Sequence, residues 1–271
     1  MAASIRKVTA SELDCPTVID LHSHILAGVD DGAKDLAESV DIARAAVADG
    51  VSLVAATPHV RHDFPTTAET METLVEELRD ALTAAGVALE LRTGGEIAVD
   101  RLDLLSRDDL RRFGLGGNPE YLLLETPYYG WPLDLSLRVT NLRRLGITAV
   151  IAHPERNPEV QMQAELLRPL VEQGALVQVT SASIDGRLGV KTRASARELI
   201  DAELAHCVAS DAHSPEVRAI GMSSAAAAIR DEDIARWLTS DMPRAIAVGA
   251  DLPMRPQTDR REVRRPWWKR G

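Results

Sequence analysis

Histidines and acidic residues suited to metal binding recur in the sequence at the ends of apolar, β-rich runs. The first run is followed by His22 and His24, and Asp31 comes seven residues after His24. Later runs are followed by the other candidates, which are His59, Glu96, His153, Asp211 and His213. Imidazole and carboxylate groups are common ligands of divalent metals. Because the set contains five of the seven histidines of the chain, metal ligation explains it better than scattered core or surface histidines would.

Eight candidate ligands are too many for one tetrahedral zinc site with an open position. They suit two or three bridged metal ions with mixed nitrogen and oxygen ligation. Strand side chains at positions i and i+2 point the same way. We therefore expect His22 and His24 to bind one ion, with Asp20 on the same side, and Asp211 and His213 to repeat this arrangement.

Two other histidines fit this pattern less well. His206 comes early in its apolar run, so we expect it to be structural. His62 lies in the loop after TPH, where it could reach the site or remain solvated. Cys207 lies in the apolar run HCVAS and is predicted to be a small core residue rather than a nucleophile.

The elements that must position the candidate ligands are strands alternating with helices. The predicted strand runs are 17–21, 51–57, 87–97, 120–126, 147–152, 175–180 and 205–210. Helical spacing is found in 34–49, 67–85, 134–145, 159–173 and 192–203. This alternation predicts an α/β fold with a parallel sheet, whose strand ends form the active face. Seven runs favour a distorted (β/α)7 barrel, although an open doubly wound sheet has the same local pattern.

Composition narrows the classes of function. A net charge of −10 argues against a nucleic-acid partner, whose phosphates attract a basic surface. Two cysteines provide no disulfide framework, which favours a cytoplasmic location. No apolar stretch approaches the roughly 20 residues needed to span a bilayer. The scarcity of aromatic residues, 3% of the chain, predicts a core built mainly from Ala, Leu, Val and Ile.

Three segments are expected along the chain: a leader (1–16), one metal-binding domain (17–254) and a basic tail (255–271). The leader lacks the apolar core of a signal peptide. The tail contains seven basic and two acidic residues, hence a net charge of +5, and also Trp267 and Trp268. It is expected either to be a solvated tail lying on its own acidic domain or to dock on a partner or an anionic membrane surface.

The motifs DLHSHILAGVDDGAKDLAESV, ATPH, GGEI, YLLLETP, AHPERN, VQVTSASI and ASDAH resemble those of the polymerase-and-histidinol-phosphatase (PHP) superfamily. Within it, the chain is most similar to the bacterial manganese-dependent protein-tyrosine phosphatases of the CpsB/CapC/YwqE type. The resemblance covers roughly residues 17–250, and the spacing of DDG from HSH is its most specific element. It implies a PHP-type barrel with a metal centre at the carboxyl ends of the strands.

The resemblance also implies how the ligands are shared. One metal would take His22, His24, Glu96 and Asp211, a second would share Glu96 and take His153, and a third would take Asp31, His59 and His213. Manganese is the expected metal, while the ligand types also admit Fe, Zn or Co. Arg156 and Arg218 lie where family members are thought to contact the phosphate.

The function implied by the resemblance is hydrolysis of phosphotyrosine on a protein, with a bacterial tyrosine kinase that controls capsule or exopolysaccharide synthesis as the expected partner. Two alternatives stay open at this point. One is a small-molecule phosphatase such as a histidinol-phosphate phosphatase, against which the DDG element speaks. The other is a non-catalytic, metal-stabilised module that binds a partner, which the complete ligand set disfavours.

Overall fold

The computed structural model describes residues 17–257. The predicted leader (1–16) and all but the first three residues of the predicted basic tail lie outside the described residues. The described residues form nine strands: β1 (Val18–Ser23), β2 (Val51–Ala56), β3 (His59–Val60), β4 (Glu90–Thr93), β5 (Glu96–Ala98), β6 (Tyr121–Glu125), β7 (Thr148–Ala152), β8 (Leu176–Thr180) and β9 (Cys207–Ala209).

The strands pair in parallel and form two sheets, ordered β1-β2-β4 and β3-β5-β6-β7-β8-β9. Each of the seven predicted runs contains a strand, so the predicted α/β fold with parallel pairing is confirmed. The third run is divided into β4 and β5, and the short β3 follows the second run. The described residues therefore form two hydrogen-bonded sheets rather than one closed seven-stranded ladder.

The two sheets meet where β1 and β9 end. Ser23 forms an isolated parallel bridge with Ala212, the His24 amide donates to the Ala212 carbonyl over 2.8 Å, and the Asp211 amide donates to the His22 carbonyl over 2.8 Å. These bonds bring the polar residues after β1 beside those after β9. All the strands direct their carboxyl ends, and the residues that follow them, to the same face.

Within residues 17–257, eleven helices surround the sheets: α1 (Leu36–Ala48), α2 (Ala68–Ala84), α3 (Arg107–Arg112), α4 (Leu135–Arg144), α5 (Pro158–Met162), α6 (Arg168–Glu172), α7 (Ser181–Asp185), α8 (Val190–Asp201), α9 (Met222–Ala228), α10 (Glu232–Arg236) and α11 (Met242–Val248). Short 3-10 helices cover Val99–Leu104, Leu115–Gly117, Pro154–Arg156 and Ala164–Leu167, and a π-helical turn covers Trp237–Asp241. Within the described part of the chain, no helix is long and apolar enough to cross a bilayer.

Four of the five predicted helices match α1, α2, α4 and α8 within two residues at each end. The predicted helix 159–173 is wrong as one element. It is broken at Gln163, whose φ of −149° is extended, and it resumes as a 3-10 turn and then as α6. Pro169 near the start of α6 favours a new helical start, since proline has no amide hydrogen to donate to the preceding turn.

The core consists of aliphatic residues, as the composition predicts. Every residue of β8 is buried, and β2, β6 and β7 each contain only one residue that is not. Such uninterrupted burial is typical of parallel strands covered on both faces. Cys207 is buried with a free thiol, in agreement with its predicted place in the core.

His206 lies near the start of β9, away from the candidate ligands. Its Nδ1 accepts a hydrogen bond of 3.2 Å from the Val177 amide, and its ring lies 6.4 Å from that of Trp237. The guanidinium of Arg255 also lies over the Trp237 ring, 5.3 Å from its centroid. Burial, with a smaller effect from Arg255, lowers the pKa of His206 to about 4.

The lowered pKa of His206 predicts that the folded protein loses stability in mild acid because of this one histidine. The unfolded chain binds a proton at His206 near pH 6.5, whereas the folded chain does so only near pH 4. The contribution of neutral His206 to the free energy of unfolding is therefore complete above pH 6.5 and is lost as the pH falls toward 4. Between pH 7 and pH 5, the free energy of unfolding should fall by about 1–2 kcal/mol more in the wild type than in His206→Gln. Urea denaturation at both pH values measures this, and equal pH dependence in the two proteins would contradict it.

Candidate metal centre

The two histidines after the first apolar run meet two buried carboxylates. His22 Nε2 lies 3.4 Å from Glu96 Oε2 and 3.3 Å from Asp211 Oδ1. His24 Nε2 lies 3.3 Å and 3.2 Å from the same two oxygens. These four residues are at most 1% exposed. As predicted from the i, i+2 spacing, both imidazoles face one point, and β1, β5 and the segment after β9 supply the groups around it.

A second group lies nearer the surface. Asp31 Oδ1 is 3.4 Å from His59 Nε2 and 3.3 Å from His213 Nε2. The ring of His24 packs against both histidine rings, with centroid distances of 4.4 Å and 3.9 Å. Asp31 is the exposed member of this group, whereas the histidines are buried. This group therefore forms the mouth of the site, directly above the buried pair of carboxylates.

Glu96 links the two groups to a third. Its Oε1 is 2.8 Å from His153 Nε2, and its Oε2 is 2.8 Å from His59 Nδ1. Glu125, the last residue of β6, places its Oε2 3.6 Å from the same His59 nitrogen. The eight sequence-predicted ligands are thus all brought together, with Glu96 at their centre.

Four sets of these residues offer ligand atoms within 4.8 Å of one another. They are His24/Asp31/His59/His213, His22/His24/Glu96, His22/His153/Asp211 and His59/Glu96/Glu125. The first contains all of the predicted third group and adds His24. The sharing among ions differs in detail from the prediction, because His153 is grouped with His22 and Asp211 as well as touching Glu96.

Unsatisfied buried atoms show that the site fits cations. Glu96 Oε2, Asp211 Oδ1, His59 Nδ1 and His213 Nε2 are buried, and their close contacts with neighbouring imidazole and carboxylate atoms lack hydrogen-bond geometry. Buried charged groups are costly unless they are paired or coordinate a metal. All four atoms point into the cluster and are of the type that ligates divalent transition metals. The arrangement therefore fits several bound metal ions.

The carboxylates of the cluster favour protonation of two of its histidines, His24 and His59. Burial opposes protonation of His59, but the carboxylates of Asp31 and Glu96 outweigh it and raise its pKa to about 9. The pKa of His24 is likewise raised well above its usual value, because the nearby carboxylates of Asp211 and Asp30 outweigh its burial. Ligands must be deprotonated to bind metal, so metal binding here displaces protons.

The DDG loop after β1 orients these ligands. Asp30 Oδ2 is 2.8 Å from His24 Nδ1 and accepts from the His59 amide over 2.9 Å. Gly32 lies against the backbone of His24, where an added Cβ would come within 2.0 Å of the His24 carbonyl oxygen. Only glycine allows this approach, which explains the spacing of DDG from HSH. A carboxylate on the second ring nitrogen of a metal ligand fixes its tautomer and raises its basicity.

Two arginines border the cluster on the side of β7 and β9. Arg156 Nη2 is 2.5 Å from Asp211 Oδ2 and donates to Thr180 Oγ1 over 2.9 Å. Arg218 Nη2 donates to the same Asp211 oxygen over 2.7 Å. Burial opposes the charge on Asp211, but the Arg156 and His22 cations outweigh it and hold its pKa well below its usual range. One carboxylate thus positions both guanidinium groups beside the candidate metal site.

Backbone strain is concentrated at the site. His153, Asp211 and Arg218 have positive φ angles of 33°, 52° and 58°, and Glu203 is the fourth non-glycine residue of this kind in the described chain. Such conformations cost of order 1–3 kcal/mol and persist where the surroundings impose them. His153 and Asp211 make their turns within two residues of the ends of β7 and β9, and Arg218 makes its turn further along the segment after β9.

The family model described as "Capsular polysaccharide synthesis, CpsB/CapC" matches residues 18–246. The chain belongs to the CpsB/CapC family. This confirms the predicted resemblance, and every candidate ligand and both arginines lie within the matched range.

Relatives within the CpsB/CapC family are tyrosine phosphatases. The chain is 34% identical to the tyrosine-protein phosphatase YwqE of Bacillus subtilis, over 92% of this chain and 96% of the relative. It is 30% identical to the tyrosine-protein phosphatase CpsB of Streptococcus agalactiae, over 74% and 85%. One similar solved structure belongs to a set described as YwqE from Bacillus subtilis and CpsB from Streptococcus pneumoniae, "unique metal-dependent tyrosine phosphatases". It superposes with a TM-score of 0.81 and 31% sequence identity, over 88% of this chain and 98% of that one.

Sequence reasoning missed three polar residues of this CpsB/CapC site. Glu125 is the last residue of β6 and lies inside the fourth apolar run, so a rule that looks for polar residues after each run passes over it. Asp30 adjoins the chosen Asp31, and Gln178, whose Oε1 is 3.0 Å from His22 Nδ1, lies inside a strand and gave no signal. Asp20 points the same way as His22 but one layer deeper, where it accepts from the Ser210 amide over 2.9 Å. His62 is exposed on the loop after β3.

Replacing Gly32 should deplete the mouth group of metal. The Cβ of Gly32→Ala would displace His24, which belongs to two of the candidate metal sets. We expect the purified variant to contain at least one metal equivalent less than the wild type when measured by plasma mass spectrometry.

Gly146→Ala is the matched control. Gly146 has a φ of 76° and open space around it, and it precedes β7 whereas His153 follows that strand, so its substitution strains the backbone without touching a ligand. It should lower thermal stability and leave metal content unchanged. Equal metal content in Gly32→Ala and the wild type would contradict the role assigned to the DDG loop.

The place of Glu125 predicts that it helps to hold a metal ion. Glu125→Gln keeps the size and one acceptor oxygen but removes the charge beside His59. We expect the variant to bind about one metal equivalent less, or to bind it about 10–100-fold more weakly, in titration with a fluorescent competitor. Unchanged stoichiometry and affinity would limit Glu125 to its contact with Arg61, whose Nη1 is 3.5 Å away.

Proposed function

We propose that this chain is a metal-dependent protein-tyrosine phosphatase. The observation that carries the proposal is the buried cluster of unsatisfied imidazole and carboxylate atoms with two arginines fixed at its border. Family membership and the names of the relatives support the same reaction. A phosphate monoester is a dianion, and a site of clustered cations beside two guanidinium groups is complementary to it.

The proposed ligands are those on which the sequence and the geometry agree, with Glu125 added. His22, His24, Asp31, His59, Glu96, His153, Asp211 and His213 would hold two or three divalent ions. Manganese is the proposed metal, on the family resemblance and the mixed ligand set. When bound, the ions would neutralise phosphate charge and lower the pKa of a water molecule to near neutral.

The chain's own residues would position the phosphate. Arg156 and Arg218 are held by Asp211 and by Thr180, so their guanidinium groups are oriented before substrate arrives. Planar guanidinium groups that are always charged suit the equatorial oxygens of a phosphoryl group. Tyrosine, with a pKa near 10, is a good leaving group for a phosphate ester, so a strong general acid is less necessary. The buried cluster excludes bulk water from the reacting atoms.

The proposed substrate is a phosphotyrosine protein, with a tyrosine kinase of capsule or exopolysaccharide synthesis as the partner, on the strength of the family description. We propose that the reaction takes place in the cytoplasm, which the scarcity of cysteine supports. The domain would span 17–254 as a distorted seven-stranded barrel, supported by the bonds that join β1 to β9. The basic tail would remain free for a partner or an anionic membrane surface.

Activity should depend on metal and on Arg218 separately. The manganese-loaded protein should hydrolyse para-nitrophenyl phosphate and a phosphotyrosine peptide, and EDTA should abolish both activities. Arg218→Ala should lower kcat/KM by roughly 10²–10³-fold, the usual loss of one donor to a developing anion, with unchanged metal content. Activity that survives EDTA or His22→Ala would refute the proposal.

Histidinol phosphate and a phosphoserine peptide serve as comparison substrates. A higher kcat/KM on histidinol phosphate than on the phosphotyrosine peptide would assign the chain to small-molecule chemistry. If the fully metal-loaded protein turned over none of these substrates, the chain would be assigned as a non-catalytic binding module.

A further inference from the structure

A cavity opens beside the cluster, where β3, β5 and β6 end. Its volume is about 410 Å³, within the ~300–1,000 Å³ range of small-molecule sites. Residues after β3, β5 and β6 line it, among them Arg61, Val99, Glu125, Pro127 and Tyr128. Since Glu125 also approaches His59, the cavity adjoins the candidate metal centre directly.

The positions of the arginines and the cavity determine which part of a substrate would enter it. Arg156 and Arg218 follow β7 and β9, whereas the cavity lies on the side of β3, β5 and β6. A phosphoryl group held by the arginines and the cluster would therefore direct its ester oxygen, and the group attached to it, toward the cavity. The cavity is where the leaving group would lie.

Aromatic side chains are unusually dense at this edge. The chain has nine Phe, Tyr and Trp residues, and three of them, Tyr128, Tyr129 and Trp131, lie within four consecutive positions. Tyr128 is 53% exposed although it lines the cavity, and Tyr129 is 82% exposed and is not among the lining residues. A half-exposed aromatic ring in a cavity wall offers a surface for another ring.

The loop that carries Tyr128 is held rigidly to the arginine turn. Asn157 Nδ2 donates to the Pro127 carbonyl over 2.9 Å and to the Gly130 carbonyl over 3.3 Å. Glu159 Oε1 accepts from the Gly130 amide over 3.0 Å. Because Asn157 directly follows Arg156, the loop and the phosphate-side arginine share one support. The Tyr128 hydroxyl lies in the field of both arginines: burial and Glu125 raise its pKa, while Arg218 and Arg156 lower it.

We propose that Tyr128 is a specificity-determining residue, whose ring forms the wall against which the aromatic ring of a phosphotyrosine side chain, or of another aryl phosphate, packs. The inference rests on the proposed function and extends it to the leaving group. Offset or edge-to-face packing of two rings contributes beyond buried area. An alkyl phosphate would occupy the same phosphate site but leave this wall uncovered. The site would therefore distinguish aryl from alkyl esters through Tyr128.

The test is binding of stable phosphonates, measured by titration calorimetry on the full-length, manganese-loaded protein. Phenylphosphonate carries the ring, methylphosphonate lacks it, and inorganic phosphate reports on the phosphate site alone. Tyr128→Ala should weaken phenylphosphonate binding roughly three- to tenfold and leave the other two Kd values unchanged. Tyr128→Phe should bind all three ligands like the wild type, because it keeps the ring. In turnover, Tyr128→Ala should raise KM for para-nitrophenyl phosphate more than it lowers kcat.

Tyr129→Ala is the matched control, since it removes a neighbouring tyrosine that does not line the cavity. It should leave all three affinities unchanged. An equal ratio of phenyl- to methylphosphonate affinity in Tyr128→Ala and the wild type would overturn the inference, as would an equal loss in Tyr129→Ala. Calorimetry requires no turnover, so these outcomes stand apart from a failure of the proposed phosphatase activity.

Discussion

Two fully buried carboxylates, Glu96 and Asp211, set the constraint on which the rest of the site depends. Each carries negative charge into the protein interior, where an isolated ion is strongly unfavourable. The neighbouring histidines lie against these carboxylates, and in the proposed function they would bind metal ions together with them. The pKa of Glu96 is held well below its usual range because the His22 and His153 contacts outweigh its burial. The cluster therefore stays ionised, and it is completed best by cations.

Hydrogen bonds between segments that are distant in sequence bring the residues of this cluster together. Asp20 accepts from the amides of His22 and Ser210 and so ties β1 to the end of β9. Asp211 and His213 then face the ligands of β1 although almost two hundred residues separate them in sequence. Positive φ at Asp211 completes the turn. The strained backbone at these strand ends persists because the buried sheet beneath it holds the residues in place.

Sequence reasoning located the ligands because parallel strands impose a simple rule: a polar residue after an apolar run lies on the common face. The rule found Glu96 and His153 without any knowledge of pairing. It overlooked Glu125, whose carboxylate belongs to the last strand position rather than to the loop. It could not foresee the break between β4 and β5, where a Cβ on Gly95 would come within 2.5 Å of the Phe113 ring. The periodicity of apolar residues indicates which face of a strand or helix is buried, whereas a break such as the one between β4 and β5 arises from tertiary contacts.

The candidate metal cluster and the cavity beside it are held by different parts of the fold. The candidate metal centre is built from residues at strand ends, which the buried core holds in place. The cavity beside it is built from loops after β3 and β6, where Arg61 packs on Phe64 and Phe64 stacks on His59 at 5.9 Å. Loop residues can change without disturbing the cluster, because the carboxylates and histidines are held from below. Selection of the leaving group can therefore vary independently of the reaction, and Tyr128 stands at the boundary between the two.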